Sequence, residues 1–313
     1  MICRYFYLIL FSFLFITKNP FAQDTGVSYK GRVIQLKEIV VRQGMDVSSF
    51  LERLKDDTSF YKSFKYLRTL NFKSINDIRM LDKKGQLIAS LNSTTAQSIQ
   101  AGCRSMQVLE EKTTGDFYDD HKDYNYYTAA LYASLFFTKG KVCGETDIVG
   151  DAAFNVSHKK GMERHKEQLK MLFFNPGAPI PGIPFMGEKI DLFDPDVTKR
   201  YDMFVDYETY QGEPAFLLHI LKKEELHYFQ KKKVVIDEMK TWFAQSDLAV
   251  LGRTYTMTYS TAIYDFDVRM EVQMRRFGNI VIPSLLRYNG NWDVPFKQRE
   301  RGIFTATLFD FSR

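Results

Sequence analysis

From Tyr264 to Arg275 the sequence alternates without a break: Tyr264, Phe266, Val268, Met270, Val272 and Met274 on one side, Asp265, Asp267, Arg269, Glu271, Gln273 and Arg275 on the other. A period of two belongs to a β-strand with one dry face and one wet face. The preceding run repeats it, with Tyr255, Met257 and Tyr259 opposite Thr254, Thr256 and Thr258. These runs predict consecutive strands of an antiparallel meander. Gly278-Asn279 is read as the turn into IVIPSLLRY, Asn289-Gly290 as the next turn, and GIFTATLFDF as the last strand. Upstream, YDMFVDYETYQGEPAFLLHIL reads as a hairpin around Gln211-Gly212-Glu213, and VVIDEMKTWF as a short strand with a turn or helical corner. The aromatic complement, 27 Phe and 18 Tyr but only 2 Trp, suits pleated, half-buried strands better than a helical bundle.

The first half is more mixed. RVIQLKEIVVR (32–42) is β-branched enough for an opening strand. Val47, Phe50, Leu51 and Leu54, then Phe60, Phe64 and Leu67, fall at helical spacing, so two short consecutive helices are expected, with Asp46 and Thr58 as N-caps. Residues 75–149 read as short strands separated by polar turns such as KKGQ (83–86) and TTGD (113–116), and the apolar run YTAALYASLFF (127–137) is assigned to a strand. SHKKGMERHKEQLKMLFF (157–174) predicts a helix capped by Ser157, with Met162, His165, Leu169 and Leu172 on one side. It ends at NPGAPIPGIPFMG (175–187), where prolines 176, 179, 181 and 184 forbid a regular helix and deprive a ladder of donors. That loop carries Ile180, Ile183, Phe185 and Met186, and oily residues on a loop need something to rest on.

The N-terminus MICRYFYLILFSFLFITKNPFAQ has Arg4, an apolar run from Tyr5 to Ile16 and then Lys18, Asn19 and Pro20. That run is too short for a spanning helix, which needs about 20 residues. It reads as a cleavable secretory signal, residues 1–23, leaving a single domain over 24–313 with a soft boundary near 150–175 and no transmembrane span in the mature chain. Cys3 precedes the apolar run, so no lipid anchor is expected. Removal of Arg4 and Lys18 leaves 41 basic against 38 acidic residues, so the net charge falls from +5 to +3, too little to indicate nucleic acid. Export also leaves Cys103 and Cys143 as a pair in an oxidising compartment, where a disulfide is expected; the alternative is two separate buried thiols. Asn92 and Asn155 open N-x-S/T triplets, which matter only on a eukaryotic secretory route.

Motifs for chemistry are sparse. Phosphate loops, GxGxxG, HExxH and GxSxG are all lacking, and the chain has five histidines. GDFYDDHKD gathers Asp116, Asp119, Asp120, His121 and Asp123, donors able to hold a divalent cation, yet the spacing follows no calcium-loop template and a charged turn accounts for it equally. His219, Glu224, Glu225 and His227 fall on a solvated turn, and Asp194 and Asp196 flank a proline in ordinary turn chemistry. No catalytic residue, metal ligand or cofactor is therefore nominated.

What remains is the apolar face: Tyr255, Met257, Tyr259, Phe266, Val268, Met270, Val272 and Met274, with Ile180, Ile183, Phe185 and Met186 as lid or plug. Methionine and aromatic side chains adapt to greasy cargo, and the same residues also serve as core beneath the two helical segments. The succession EPAFLLHIL, YTMTYST and YDFDVRMEVQM resembles the strands of the lipoprotein-localisation carriers of the Gram-negative periplasm, the LolA and LolB type, mainly over 201–311. LKEIVVR followed by helices and such a sheet is similar to further exported envelope proteins with no assigned activity. The resemblance implies an α+β fold, a large curved antiparallel sheet (half-barrel) with helices and the Pro-rich loop on one face. It also implies acyl-chain binding on the concave side. The 75–175 insertion and the cysteine pair depart from the simplest carriers. Three functions follow: a non-enzymatic periplasmic or outer-membrane-associated protein sheltering a lipid, lipoprotein or apolar segment; an envelope scaffold with a self-filled sheet and a protein partner; and a metal-dependent hydrolase using the 116–123 acids.

Overall fold

The computed structural model describes residues 26–29, 32–35, 39–41, 50, 53–54, 58–149, 168, 171, 173–174, 176–177, 189, 191–260, 265–293 and 298–313. The leader, Asn155, Tyr264 and the loop candidates Ile180, Ile183, Phe185 and Met186 lie outside these residues.

Strands β1 (Gly26–Tyr29) and β2 (Arg32–Gln35) pair with each other, and β3 (Ile39–Val41) joins the main sheet. The expected single opening strand over 32–42 is thus two strands in different sheets. The main sheet continues with β4 (Asn71–Leu81), β5 (Leu87–Gln100), β6 (Cys103–Thr114), β7 (Lys141–Cys143), β8 (Tyr201–Tyr210), β9 (Glu213–Lys222), β10 (Ile236–Ala244), β11 (Val250–Ser260), β12 (Asp265–Phe277), β13 (Ile280–Asp293) and β14 (Glu300–Ser312). Its order is β3-β8-β9-β10-β11-β12-β13-β14-β4-β5-β6-β7, antiparallel at every pairing except the parallel β3–β8 edge. The ends, β3 and β7, are not paired to each other, so the sheet is an open half-barrel. The last strand, β14, pairs along most of its length with β4, which makes the first-half strands a continuation of the second-half meander.

The alternation is realised over the described residues 255–260 and 265–275. Phe266, Val268, Met270, Val272 and Met274 are buried while Asp267, Arg269 and Arg275 are exposed. Each buried side chain contributes roughly 1.5–3 kcal/mol. A one-residue slip of β12 would turn all five to water, which is why its register is single-valued. The Gln211–Gly212 turn has φ of 51° and 84°, the left-handed pair that a two-residue hairpin requires. Pro283 sits inside β13, which a central strand tolerates only at an irregularity. The register shifts there, Gln273 pairing Leu285 and Met274 pairing Pro283, and the Ser284 hydroxyl donates to the Gln273 carbonyl at 3.2 Å.

Three further expectations are corrected. Asn289-Gly290 is not a turn: both residues lie within β13, where Gly290 pairs with Val268 and Gly302. The glycine is there for space, because a Cβ would fall 1.8 Å from the Tyr288 hydroxyl oxygen. The 127–137 run is helix α2 (Tyr127–Phe136), the second after α1 (Ser59–Tyr66) and its 3-10 continuation Leu67–Thr69. α2 is apolar nearly all round because it is enclosed nearly all round, leaving no periodicity to read. The strands over 71–114 are also long rather than short, 14 residues in β5. The expected helices are present at Phe50, Arg53 and Leu54, at α1, and at Gln168, Met171, Phe173 and Phe174. Thr58 is the N-cap of α1, without a side-chain hydrogen bond to the helix. Two single-turn helices, α3 (Pro195–Thr198) and α4 (Tyr228–Lys231), complete the described elements. Asp194 caps α3 by accepting from the Asp196 N–H at 2.9 Å.

Candidate functional site

The eight apolar candidates on β11 and β12 share one continuous wall. Tyr255, Met257, Tyr259, Phe266, Val268, Met270, Val272 and Met274 are all buried in the main core. The Tyr255 hydroxyl donates to the Phe173 carbonyl (3.3 Å) and approaches the Met270 sulfur (2.9 Å). Burial pushes that phenol far above its ordinary value, so it stays neutral. Phe266 stacks on Trp292 at 4.8 Å, and Lys189 lies 5.0 Å over the Tyr259 ring while donating to its hydroxyl at 3.1 Å. At the top of β11, Arg253 turns to the same face, with its guanidinium 4.3 Å from the Phe60 ring and its Nε donating to Thr241 at 3.0 Å. Helical segments of the chain itself, through Phe60 and Phe173, therefore rest on this wall.

Beside it the structure holds a cavity of about 100 Å³, bounded by α1, α2, Phe174 and strands β4, β5, β6 and β14. None of the eight candidates lines it. Its lining mixes apolar side chains, Tyr61, Phe64, Leu67, Phe72, Leu135, Phe136, Phe174, Ala306 and Leu308, with the polar Lys65, Arg68, Ser74, Asn76, Gln97 and Arg104, and on the sheet the two kinds are neighbours, Ala306 paired with Asn76 and Leu308 with Ser74. Phe174 lines the cavity, 4.6 Å from Phe64, while its neighbour Phe173 packs 5.4 Å from Tyr288. Residues 173–174 thus form the partition between the cavity and the apolar wall.

The polar groups of the lining are internally bonded, as buried polar groups must be. Ser74 and Thr95 share a 2.7 Å hydroxyl contact, the Asn76 amide donates to Ser74 Oγ (3.1 Å) and Ser93 Oγ (3.4 Å), and its carbonyl accepts from Tyr132 at 3.0 Å. Gln97 donates to the Leu67 and Leu70 carbonyls at 2.6 and 2.7 Å, closing the end of the 3-10 turn. Its carbonyl oxygen accepts from Arg104 Nη1 at 3.3 Å, and the same guanidinium bonds Thr138.

Two cations share one anion here. Glu145 accepts from Arg104 Nε at 2.7 Å and from Arg68 Nη1 at 3.1 Å. Arg104 is only 6% exposed. Burial works to raise the Glu145 carboxyl, but the Arg104 hydrogen bond and the Arg68 charge outweigh it and hold the group below its ordinary value. Burial and the like charge of Arg104 lower Arg68, against the pull of Glu145. The expected disulfide is what brings this carboxylate in: Cys103 and Cys143 are bonded across 40 residues and paired in register, with Glu145 two residues beyond and Arg104 one residue beyond the other half-cystine.

The remaining candidates have local partners. One Asp119 oxygen accepts from the N–H groups of both His121 and Asp123, at 2.9 and 2.8 Å, which makes 116–123 a side-chain-stapled turn. Among the described residues no cluster of His, Cys, Asp or Glu has the arrangement of a metal site. His219 on β9 bonds Glu238 at 2.8 Å, far along the chain from His227 at the start of α4. The cavity itself was missed by sequence reasoning, although a signal was present: Ser74 and Asn76 on β4 and Ser93, Thr95 and Gln97 on β5 recur at every second residue, a polar stripe on the inner face.

No family model and no curated protein matches the chain. Among solved structures it is similar to a DUF1329 family protein from Desulfovibrio piger ATCC 29098, at 9% identity and a TM-score of 0.24 over 81% of this chain and 90% of that one. It is also similar to an outer membrane lipoprotein-sorting protein domain from Vibrio parahaemolyticus, at 7% identity and a TM-score of 0.27 over 82% of this chain and 91% of that one. At these TM-scores the functional reading rests on the geometry alone.

Proposed function

We propose that the chain is an exported, non-enzymatic envelope protein that shelters an apolar chain, such as a lipid acyl group or a lipidated segment, on the concave side of its half-barrel. The observation that carries this reading is the cavity between α1, α2 and β14, lined mostly by aromatic and aliphatic side chains with guanidinium and amide groups among them. At about 100 Å³ the space is smaller than the roughly 150 Å³ apolar cavity that accepts benzene, so it would take no more than the end of a chain. Displacing Phe173 and Phe174 would join it to the wall of Tyr255, Met257, Tyr259, Phe266, Val268, Met270, Val272 and Met274, and the loop bearing Ile180, Ile183, Phe185 and Met186 would then act as the lid. The disulfide supports export, since such bonds persist outside the reducing cytosol.

The test is titration of the purified protein with a fluorescent fatty acid. Saturable binding is expected, and Ala306→Leu, which fills the cavity from β14, is expected to weaken it severely while the fold melts as before. Absence of saturable binding, or binding indifferent to Ala306→Leu, refutes the assignment. One observation favours a second reading: the chain's own Phe60 and Phe173 already rest on the inner wall. An envelope scaffold with a self-filled sheet would co-purify with a stoichiometric protein partner and bind no fatty acid.

A further inference from the structure

The turn between β9 and β10 presents two large rings to solvent. Tyr228 is 65% exposed and Phe229 is 77% exposed, the latter being the most exposed large hydrophobic side chain among the described residues. The fold does not need them there: Val234, Val235 and Ile236, the next apolar residues, are buried and anchor the turn to the core. Tyr228–Lys231 forms α4, where the His227 N–H donates to Gln230 Oε1 at 3.2 Å and the Gln230 N–H to the His227 carbonyl at 2.9 Å. Exposed rings on this tip are a standing cost in water, about that of leaving each unburied.

Their surroundings specify the chemistry of the partner. Lys231, Lys232 and Lys233 follow directly, all exposed, and among the described residues none of the ion pairs involves them. Lys232 lies 4.5 Å over the Tyr228 ring, a cation held beside an aromatic plane. Against these, the same connection carries Glu224 and Glu225, and Lys223 lies 3.9 Å from Asp202, so the tip itself remains basic. Two rings and three lysines on one helical turn are far too small for the roughly 1,200 Å² that a stable protein–protein interface buries. Aromatic rings that enter at headgroup depth beside lysines that meet anionic headgroups are what a bilayer interface accepts.

We infer that the α4 tip is a membrane-docking element, with Tyr228 and Phe229 entering the headgroup region of an anionic bilayer and Lys231, Lys232 and Lys233 contacting its surface. This is independent of what the cavity holds. The test is flotation of the mature protein, residues 24–313, with vesicles of phosphatidylcholine, with and without phosphatidylglycerol. Binding to the phosphatidylglycerol vesicles that weakens with salt is expected. Phe229→Ser should reduce partitioning about tenfold, and each of Lys231→Gln, Lys232→Gln and Lys233→Gln about fivefold or less. All are surface changes, so unchanged melting confirms folding, and Phe229→Trp should shift its emission to the blue on binding. No binding to phosphatidylglycerol vesicles, or binding as strong as wild type by Phe229→Ser and by the variant that combines Lys231→Gln, Lys232→Gln and Lys233→Gln, overturns the inference. So does capture of a protein through this turn without lipid.

Discussion

Breaking the Cys103–Cys143 bond should loosen both the fold and the charged side of the cavity. In the chain-entropy account, a closed loop of the observed 40 residues contributes about 4 kcal/mol. A second loss is local. β7 is three residues long and pairs only with Cys103, Arg104 and Ser105, so the bond is the chief restraint on Glu145. If Glu145 departs, the buried Arg104 loses its carboxylate; for a fully buried pair that costs about 3–5 kcal/mol. Glu145 is 24% exposed at its side chain, so a third to a half of that is the appropriate scale. The perturbation is Cys103→Ser with Cys143→Ser, compared with wild type under oxidising and reducing conditions. The assay is urea unfolding followed by the fluorescence of Trp242 and Trp292. With an m-value of about 3 kcal/mol/M, the midpoint should fall by more than about 1 M. Glu145→Gln should cost less in the serine background than in wild type, because the clasp is already slack there. Thiols that react in the unreduced native protein, or a midpoint shift below about 0.3 M, would refute the reasoning.

Gly290→Ala drives a methyl to within 1.8 Å of the Tyr288 hydroxyl, in a ring stacked 4.8 Å from Phe304, and should destabilise by about 1–3 kcal/mol in urea melts; a neutral variant would mean that the β13 register is wrong. Glu300→Ala removes the carboxylate that accepts from the Tyr127 and Thr128 N–H groups at 2.7 Å and from the Thr128 hydroxyl, and is expected to cost about 1–2 kcal/mol. Hydrogen exchange at the first turn of α2 should accelerate, and unchanged protection there counts against the cap. Glu145 has a depressed folded pKa, so its contribution is present above its unfolded value of about 4.5 and is lost as pH falls through the folded value. Urea midpoints should therefore drop below pH of about 4.5, less steeply in Glu145→Gln, and parallel profiles for the two proteins would dismiss that linkage.

The second-half strands are legible because one face of each is dry and the other wet: Tyr255 to Met274 appear in the fold with the sidedness their order predicts. α2 is not legible for two physical reasons. Its residues are enclosed by the sheet and by Phe64 and Phe137, so polarity carries no period. The carboxylate that starts it, Glu300, is 173 residues away, so the local sequence contains no cap to find. Asn289-Gly290 misleads in the opposite way, since a dipeptide common in hairpin turns serves to make room for Tyr288.

The position of the cavity follows from how the inner face changes along the sheet. On β11 and β12 that face is apolar from Tyr255 to Met274, so the chain's own helices can seal it and do. On β4 and β5 it becomes Ser74, Asn76, Ser93, Thr95 and Gln97, groups that need fixed partners at fixed distances. An apolar helix laid flat on them would leave the Gln97 amide and the Asn76 carbonyl unmet, at about 1–3 kcal/mol each. α2 accordingly meets the stripe through one phenol, Tyr132 on Asn76, and α1 through the carbonyls that Gln97 caps. The space left between those two points is the cavity.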